Sequence, residues 1–356
     1  VIHTIKSVRS GIGLHIDDHE YQAVQLVRTG DEIRVGSWAV FPRLNTDPVE
    51  GESARFLPSK DELAWAGSIL HRRGFQGHDF SFSAPSRDCT QHVFELPPAD
   101  SGAPLEMLAR TEVARERRCD PNDFAIGFWG LPQRGRTSET IAVACSKKVI
   151  NGMINDAHAA EIEVVGIDLA ELAILRAVQE HLPETTKDGS TPINAVLHVG
   201  WDRSLAIVTL GERLVYVRRI AHGAETAWNQ AMTRYGLSEN SARAVFGDYE
   251  LAESNEQLEK IRVACWKSVS KAIASELDVA FAYVSHSFRM APLGRVVLCG
   301  YGSEDATVRG QVDQVIGIPI VSGAPKLLID SITGKDAPVL ASRLAYAYGL
   351  AARFDA

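Results

Sequence analysis

The residues best suited to chemistry in this chain are histidines set in two short segments of one design. Gly13-Leu14-His15-Ile16-Asp17-Asp18 and Val196-Leu197-His198-Val199-Gly200 each read as a buried strand running straight into a tight turn. Brought face to face, His15, His198 and His222 could join Asp17 or Asp202 in a nitrogen-and-carboxylate set that suits zinc. These ligands lack the close sequence spacing of a built zinc site, so partly buried rings bonded to backbone or water are the plainer expectation, and no metal is assigned. His, Asp and Ser could also be imagined as a hydrolytic triad. No Gly-x-Ser-x-Gly elbow is present to expose a nucleophile, so no catalytic residue is assigned either. Gly11-Ile12-Gly13 and Gly300-Tyr301-Gly302 stop short of the dinucleotide fingerprint and read as tight turns. Trp65, Trp129, Trp228 and Trp266 are expected as packing, whereas Trp201, inside the second turn, is expected to line a cleft.

The elements that must position these residues follow from pattern. Gly11–Ile16, Ala23–Thr29 and Glu32–Val40 are β-rich and punctuated by Gly30-Asp31, as in a meander of hairpins. The stretch 42–59 reads as loop. Ser59-Lys60-Asp61-Glu62 forms a capping box for a helix through Leu70, and strands are expected at Phe80–Ala84 and Cys89–Leu96. Pro104–Arg118 reads as an amphipathic helix, Asp123–Trp129 and Thr140–Ser146 as strands, and Lys147–Ala160 as a helix. Strand Glu163–Ile167 then leads, through Asp168 as a cap, into a helix ending before Pro183. Polar residues from Glu184 to Pro192 suggest a hinge. The second half repeats the theme: three strands within 195–220, helices at 224–235, 239–246 and 258–288, a buried strand Val296–Cys299 entering Gly300, and an Ala-rich helix Pro338–Ala352. Two halves that each open with a meander and continue with helices imply a duplicated α/β architecture around a cleft.

With 356 residues, the chain is long for one core and implies several subdomains. A net charge of −8 argues against nucleic acid as the main partner. Arg110, Arg115, Arg117 and Arg118 cluster locally, but Glu106, Glu112 and Glu116 interleave with them at helical spacing, which describes a solvated, salt-bridged face. Five dispersed cysteines without CxxC spacing point to neither a disulfide framework nor a zinc knuckle, and fit a reducing cytoplasm. No stretch is long and apolar enough to span a bilayer, and no signal peptide pattern opens the chain.

At this level the chain resembles the type IV pilus assembly protein PilM family, relatives of FtsA and actin. Gly13–Leu26 resembles the family's first phosphate loop, and Val164–Val178 its linking run of valines, Asp and helix. Tyr216–Gly223 and Gly236–Phe246 are similar to the segment in which Arg, a glycine pair and an Ala-Glu helix recur. Ile316-Gly317-Ile318-Pro319-Ile320 and Ala345–Arg353 resemble its Gly-Ile-Pro and Gly-Leu-Ala-x-Arg ends. The resemblance implies a duplicated actin-like (ribonuclease H-like) α/β fold, two lobes around a central cleft with a small inserted αβ subdomain. The implied boundaries are 7–98 with 163–190 and 340–356 for the first lobe and 99–162 for the insert. They are 191–222 with 291–339 for the second lobe and 223–290 for a helical subdomain.

The departures from the family pattern gather at the implied nucleotide cleft. His15 and Asp17 stand where a metal-orienting Asp and a close-approach Gly are expected, Asp18 follows, and Gln22 replaces a Lys. His198 replaces the second Asp while Gly200 is kept; His222 replaces one glycine of a pair and Gly223 remains. Arg243 and Phe246 fill positions of a nucleoside-facing Glu and Lys, and Tyr301 separates Gly300 from Gly302. Two like charges 4 Å apart repel by about 4 kcal/mol at an effective dielectric of 20. Asp17 and Asp18 facing a triphosphate without the lysine would therefore oppose it. The expectation is a degenerate nucleotide site with no cofactor assigned, ATP with Mg²⁺ being the alternative. The implied role is a cytoplasmic scaffold of a pilus or related secretion assembly. It would be held at the inner membrane by the N-terminal cytoplasmic peptide of a PilN-like protein docking beside the 105–118 helix. The other readings are an ATP-binding switch or ATPase, and a cytoskeletal polymer.

Overall fold

The computed structural model describes residues 7–44, 58–132, 138–247 and 255–353. The chain separates into two compact units, Val1–Arg43 with Glu171–Ala356, and Leu44–Ala170.

The first unit opens with strands β1 (Ser7–Arg9), β2 (Ile12–Ile16), β3 (Glu20–Thr29) and β4 (Glu32–Pro42). β3 is the organising strand. β1 and β2 follow one of its edges in succession and β4 the other, all antiparallel. Ser10 makes the step between β1 and β2: its N–H donates to the Leu26 carbonyl at 2.9 Å, and its hydroxyl accepts from the Leu26 N–H at 3.0 Å. Gly30, at φ 63°, supplies the left-handed residue of the β3–β4 turn.

The second unit contains α1 (Lys60–Arg72), β5 (Asp79–Ser83), β6 (Cys89–Leu96), α2 (Leu105–Arg117), β7 (Phe124–Gly130), β8 (Ser138–Ser146), α3 (Lys147–Ala159) and β9 (Glu163–Asp168). Ser59 caps α1 as its sequence suggests, its hydroxyl accepting from the Glu62 N–H at 3.2 Å. β5 and β9 pair in parallel, and β6-β8-β7 form an antiparallel three-stranded sheet. Val113 and Ala114 of α2 bury against Phe124, Ala142 and Ala144 on that sheet. The opposite face of α2 is the charged one expected, with Arg110 on Glu106 at 2.9 Å and Arg115 on Glu112 at 2.5 Å. Such solvated pairs add only tenths of a kcal/mol each.

The chain then returns to the first unit through α4 (Ala170–Val178), β10 (Ile193–Val199), β11 (Ser204–Leu210), β12 (Arg213–Ile220), α5 (Ala224–Tyr235), α6 (Glu239–Gly247), α7 (Glu256–Ser287), β13 (Leu293–Gly300), α8 (Ala306–Ile316), β14 (Ile320–Ser322), α9 (Lys326–Ser331), α10 (Ala337–Arg343) and α11 (Ala345–Ala351). The sheet order is β12-β11-β10-β13-β14, with β10 antiparallel to β11 and parallel to β13. Its central position explains why β10 is buried at every residue and is mostly apolar, with Asn194 and His198 as its buried polar members. α7 buries Ile261, Cys265, Trp266, Val269, Ile273, Leu277, Ala280 and Val284, one helical stripe over about six turns. The 184–192 segment expected as a hinge is a closed turn, with the Thr186 N–H on the Ser190 carbonyl at 2.8 Å and both hydroxyls near Asp188.

Two glycines show how tightly the C-terminal helices are seated. A Cβ on Gly13 of β2 would lie 2.2 Å from the Ala347 carbonyl oxygen, and one on Gly349 would lie 1.8 Å from that of Ala173 in α4. The Ala/Gly composition of Ala345–Ala351 is thus what lets α11 pack backbone to backbone on β2 and α4. The tail helix expected as one piece is two, α10 and α11, joined at Leu344.

Candidate functional site

The first turn is held by a side chain. The Asp17 Oδ1 accepts hydrogen bonds from the N–H groups of His19 and Glu20, both at 2.8 Å, while its own N–H donates to the Glu20 carbonyl at 3.2 Å. This is an Asx-type closure of a hairpin. The other carboxylate oxygen, Oδ2, lies 2.9 Å from the Tyr301 hydroxyl, which also reaches Glu20 Oε1 at 2.7 Å. Asp18 is exposed, with Arg43 Nη1 4.0 Å away. Gln22 is buried and donates to Glu20 Oε1 at 2.8 Å.

The second turn is held by backbone. Gly200 has the Arg203 carbonyl 2.4 Å from where a Cβ would sit, and Gly223 has that of Trp201 at 2.2 Å. This closeness brings the N-terminus of α5 onto the turn. The Ala224 N–H donates to the Gly200 carbonyl at 3.0 Å, and the Glu225 N–H to the Trp201 carbonyl at 2.9 Å. Free N–H groups at a helix start are a natural anion site, but here the first two are occupied by the neighbouring turn. His222 contributes its carbonyl, which accepts from the Ser204 hydroxyl at 2.7 Å.

A third loop completes the arrangement. Gly300 and Gly302 have φ of 90° and 65°, and the Tyr301 N–H between them donates to the Val199 carbonyl at 2.8 Å. This directs the Tyr301 ring to the first turn. Arg343, from α10, donates through Nε to Glu20 Oε1 at 2.7 Å and through a second nitrogen to Glu20 Oε2, and its guanidinium lies 4.6 Å from the Tyr301 ring centroid. Beside the cluster is a cavity of about 190 Å³ lined by Trp201, Trp228, Phe246, Trp266 and Tyr301, with Glu20 and Arg343 at its polar end. His19 stacks on Trp201 at 4.1 Å and 9°. The Trp266 indole N–H is buried without an acceptor.

The electrostatics follow from burial. Loss of water and the neighbouring Glu20 carboxylate push the Asp17 carboxyl up to about 7. Burial, with Asp17 and Glu20 adding, raises the Tyr301 phenol well above its usual range and keeps it a donor. His15 and His198 do come together, both against the Tyr346 ring of α11, one stacked at 4.1 Å and the other edge-on at 5.6 Å. Burial holds His15 down at about 4, and burial reinforced by His15 holds His198 at about 3. Both are neutral rings at neutral pH. Among the described residues no three His, Cys, Asp or Glu side chains converge as a metal site.

Of the residues singled out from sequence, His15 and His198 share Tyr346, and Asp17 and Gln22 share the Glu20 cluster. Phe246 and Gly302 line the cavity. Gly200, Gly223 and Gly300 shape the second and third loops. Asp18 lies beside Arg43, which also donates to the Asp17 carbonyl at 3.2 Å, His222 enters through its carbonyl, and the Arg243 side chain lies outside the described residues. Trp201 lines the cavity as expected, but so do Trp228 and Trp266, which read as packing. Glu20, Arg343 and Tyr346 were not found from sequence, and Tyr301 was marked there only as a ring set between two glycines. Glu20 and Arg343 are 323 residues apart, and no local spacing signals such a pair.

Comparison with known proteins gives a consistent assignment. The family described as "Type IV pilus assembly protein PilM" matches residues 123–354. A solved PilM-PilN type IV pilus biogenesis complex contains a chain similar at a TM-score of 0.77 and 17% identity, with 97% of this chain and 98% of that one covered. Ethanolamine utilization protein EutJ from Carboxydothermus hydrogenoformans (TM-score 0.49, 10% identity, 96% and 89% covered) and Ta0583, an archaeal actin homolog (0.48, 10%, 96% and 98%), are more distant. No curated protein matches the sequence. The fold is the actin-like α/β fold expected from the sequence.

Proposed function

The chain belongs to the family of the type IV pilus assembly protein PilM, and from that premise we propose that it is a scaffold of such an assembly that neither binds nor hydrolyses ATP to a useful extent. The observation that supports this most is the state of Asp17. Its carboxylate closes its own hairpin and faces Tyr301, with the Glu20–Arg343 pair behind, so it is not free to orient a metal. The α5 N-terminus, facing its own turn, and the neutral His15 and His198 support the same reading. We further propose a PilN-like membrane protein as the partner, its cytoplasmic N-terminal peptide docking beside α2, on the strength of the likeness to PilM in the PilM-PilN complex. Among the described residues no helix is long and apolar enough to cross a membrane, so placement at the inner membrane would come through that partner. The four-part division with 99–162 as the insert is part of this proposal.

Isothermal calorimetry with ATP and Mg²⁺ tests the first part: no heat at millimolar ATP is expected, and micromolar binding would reverse it. Pull-down with the N-terminal peptide of a PilN-like protein tests the second; capture is expected, and its absence removes the partner. An ATP-gated switch is the second reading. It is favoured by the aromatic cavity and the Trp266 N–H that lacks an acceptor, and the same calorimetry decides between them.

A further inference from the structure

The five cysteines look unrelated in sequence, yet two of them meet. Cys89 opens β6, and Cys145 lies directly opposite it on β8 in the antiparallel register. Opposed residues in such a ladder have Cα atoms about 4.5–5.5 Å apart, inside the roughly 4.4–6.8 Å a disulfide spans. Both are in the reduced, unlinked state and are buried together against Ala84, Val143, Trp129 and Ile167. Cys89 sits at the strand end, between half-buried Asp88 and exposed Thr90.

The surroundings distinguish the two sulfurs. The Cys145 thiol is held below its ordinary value, first by a hydrogen bond from Cys89, with burial and Asp88 opposing and Arg117 assisting. Arg117, at the end of α2, has its Nη1 buried without a hydrogen-bond partner among the described residues. A guanidinium in this part of the sheet adds a smaller favourable charge for a thiolate at Cys145, after the Cys89 hydrogen bond. Cys265 and Cys299 show the opposite: burial pushes the first up to about 11 and the second higher still. Those two are inert packing residues.

We propose that Cys89 and Cys145 are a peroxide-oxidisable pair, with Cys145 the attacking sulfur and Cys89 the resolving one. The Cys145 thiolate attacks one oxygen of hydrogen peroxide; the O–O bond breaks, a sulfenic acid forms and hydroxide leaves, to be protonated to water. The Cys89 thiol then attacks that sulfur, the S–O bond breaks, and a second water leaves as the disulfide forms. Two thiols are oxidised by two electrons and one peroxide is reduced to two waters. The product staples β6 to β8 in the second unit and stands independently of the proposed scaffold role.

The test uses the full chain treated with hydrogen peroxide, denatured in N-ethylmaleimide and mapped as unreduced peptides. The expected result is one linked peptide pair holding Cys89 and Cys145, with the other three cysteines alkylated. Full alkylation of both, over-oxidation of both without a link, or a link to a different cysteine overturns the proposal. In Cys89→Ser the sulfenic acid should persist at Cys145 and be trapped by dimedone; a trap-negative Cys145 overturns its attacking role. Arg117→Met should slow disulfide formation at neutral pH, and an unchanged rate removes Arg117 from the device.

Discussion

The two strand-turns start from nearly the same residues and are closed by different means. At β2–β3 the closure is made by side chains: Asp17 on two N–H groups, Tyr301 on Asp17, and Arg343 on Glu20. At β10–β11 it is made by main chain, with α5 donating to the carbonyls of Gly200 and Trp201 because Gly223 permits the approach. A side-chain closure contains ionisable groups and must respond to pH. A backbone closure is steric and must respond to volume instead. The difference can be tested from both sides.

The largest effect is expected on the first turn. Glu20→Ala leaves the Arg343 guanidinium buried without its carboxylate, and breaking a buried pair in this way costs about 3–5 kcal/mol. Urea unfolding followed by tryptophan fluorescence measures it, and a loss under 1 kcal/mol would mean the pair is not what holds the turn.

The pH response comes next. His15 and His198 titrate near 6.5 when unfolded and at about 4 and 3 when folded, so below pH 6.5 the unfolded chain binds more protons and stability falls with falling pH. Asp17 acts in the other direction. Its pKa rises from 3.8 to about 7 on folding, so its contribution is present in acid and lost as pH climbs through 7. Between pH 4 and 6.5 two opposing protons on histidine outweigh one on Asp17, and the cluster's net contribution rises by about 1.4 kcal/mol per pH unit, some ~3 kcal/mol over the window. In His15→Phe/His198→Phe only Asp17 remains, and the cluster's contribution to the slope reverses sign. Chemical denaturation at half-unit pH steps reads this as the difference between wild type and variant.

At the second turn, Gly223→Ala pushes a methyl group onto the Trp201 carbonyl and should destabilise by about 1–3 kcal/mol. That loss should be the same at pH 5 and pH 8, which is the sharpest contrast with the first turn. The smallest effect is expected for Asp17→Asn. The amide oxygen can still accept from His19 and Glu20, so stability at pH 4, where Asp17 is itself protonated in the fold, should shift by less than about 1 kcal/mol. The same variant removes the opposing titration and should about double the cluster's net slope between pH 4 and 6.5.

Most elements were legible because their signals are local. The Ser59 cap, the Gly30 turn, the charged face of α2 and the buried run of β10 each follow from residues a few positions apart. The long tail helix was misread as a single piece, since nothing in Leu344 or its neighbours marks the junction. The site was legible only in outline. The sequence marks the turns at His15 and His198 and the loop at Gly300, but presents Asp17 as a free carboxylate. It becomes a hairpin clasp only once Glu20 and Tyr301 are in place.

By itself, then, the sequence determined which strands and helices form and that they occur in two similar series, and it raised the proposal that the two turns suit a triphosphate poorly. Periodicity, capping and turn chemistry act over a few residues and can be read in one dimension. Only the tertiary structure decided who partners whom: Tyr301 and Arg343 on the first turn, Tyr346 between two histidines, and Cys89 opposite Cys145. Those partners are brought together by packing of α10 and α11 and by strand register, which depend on backbone approach at Gly13, Gly223 and Gly349 and leave no periodic trace along the chain.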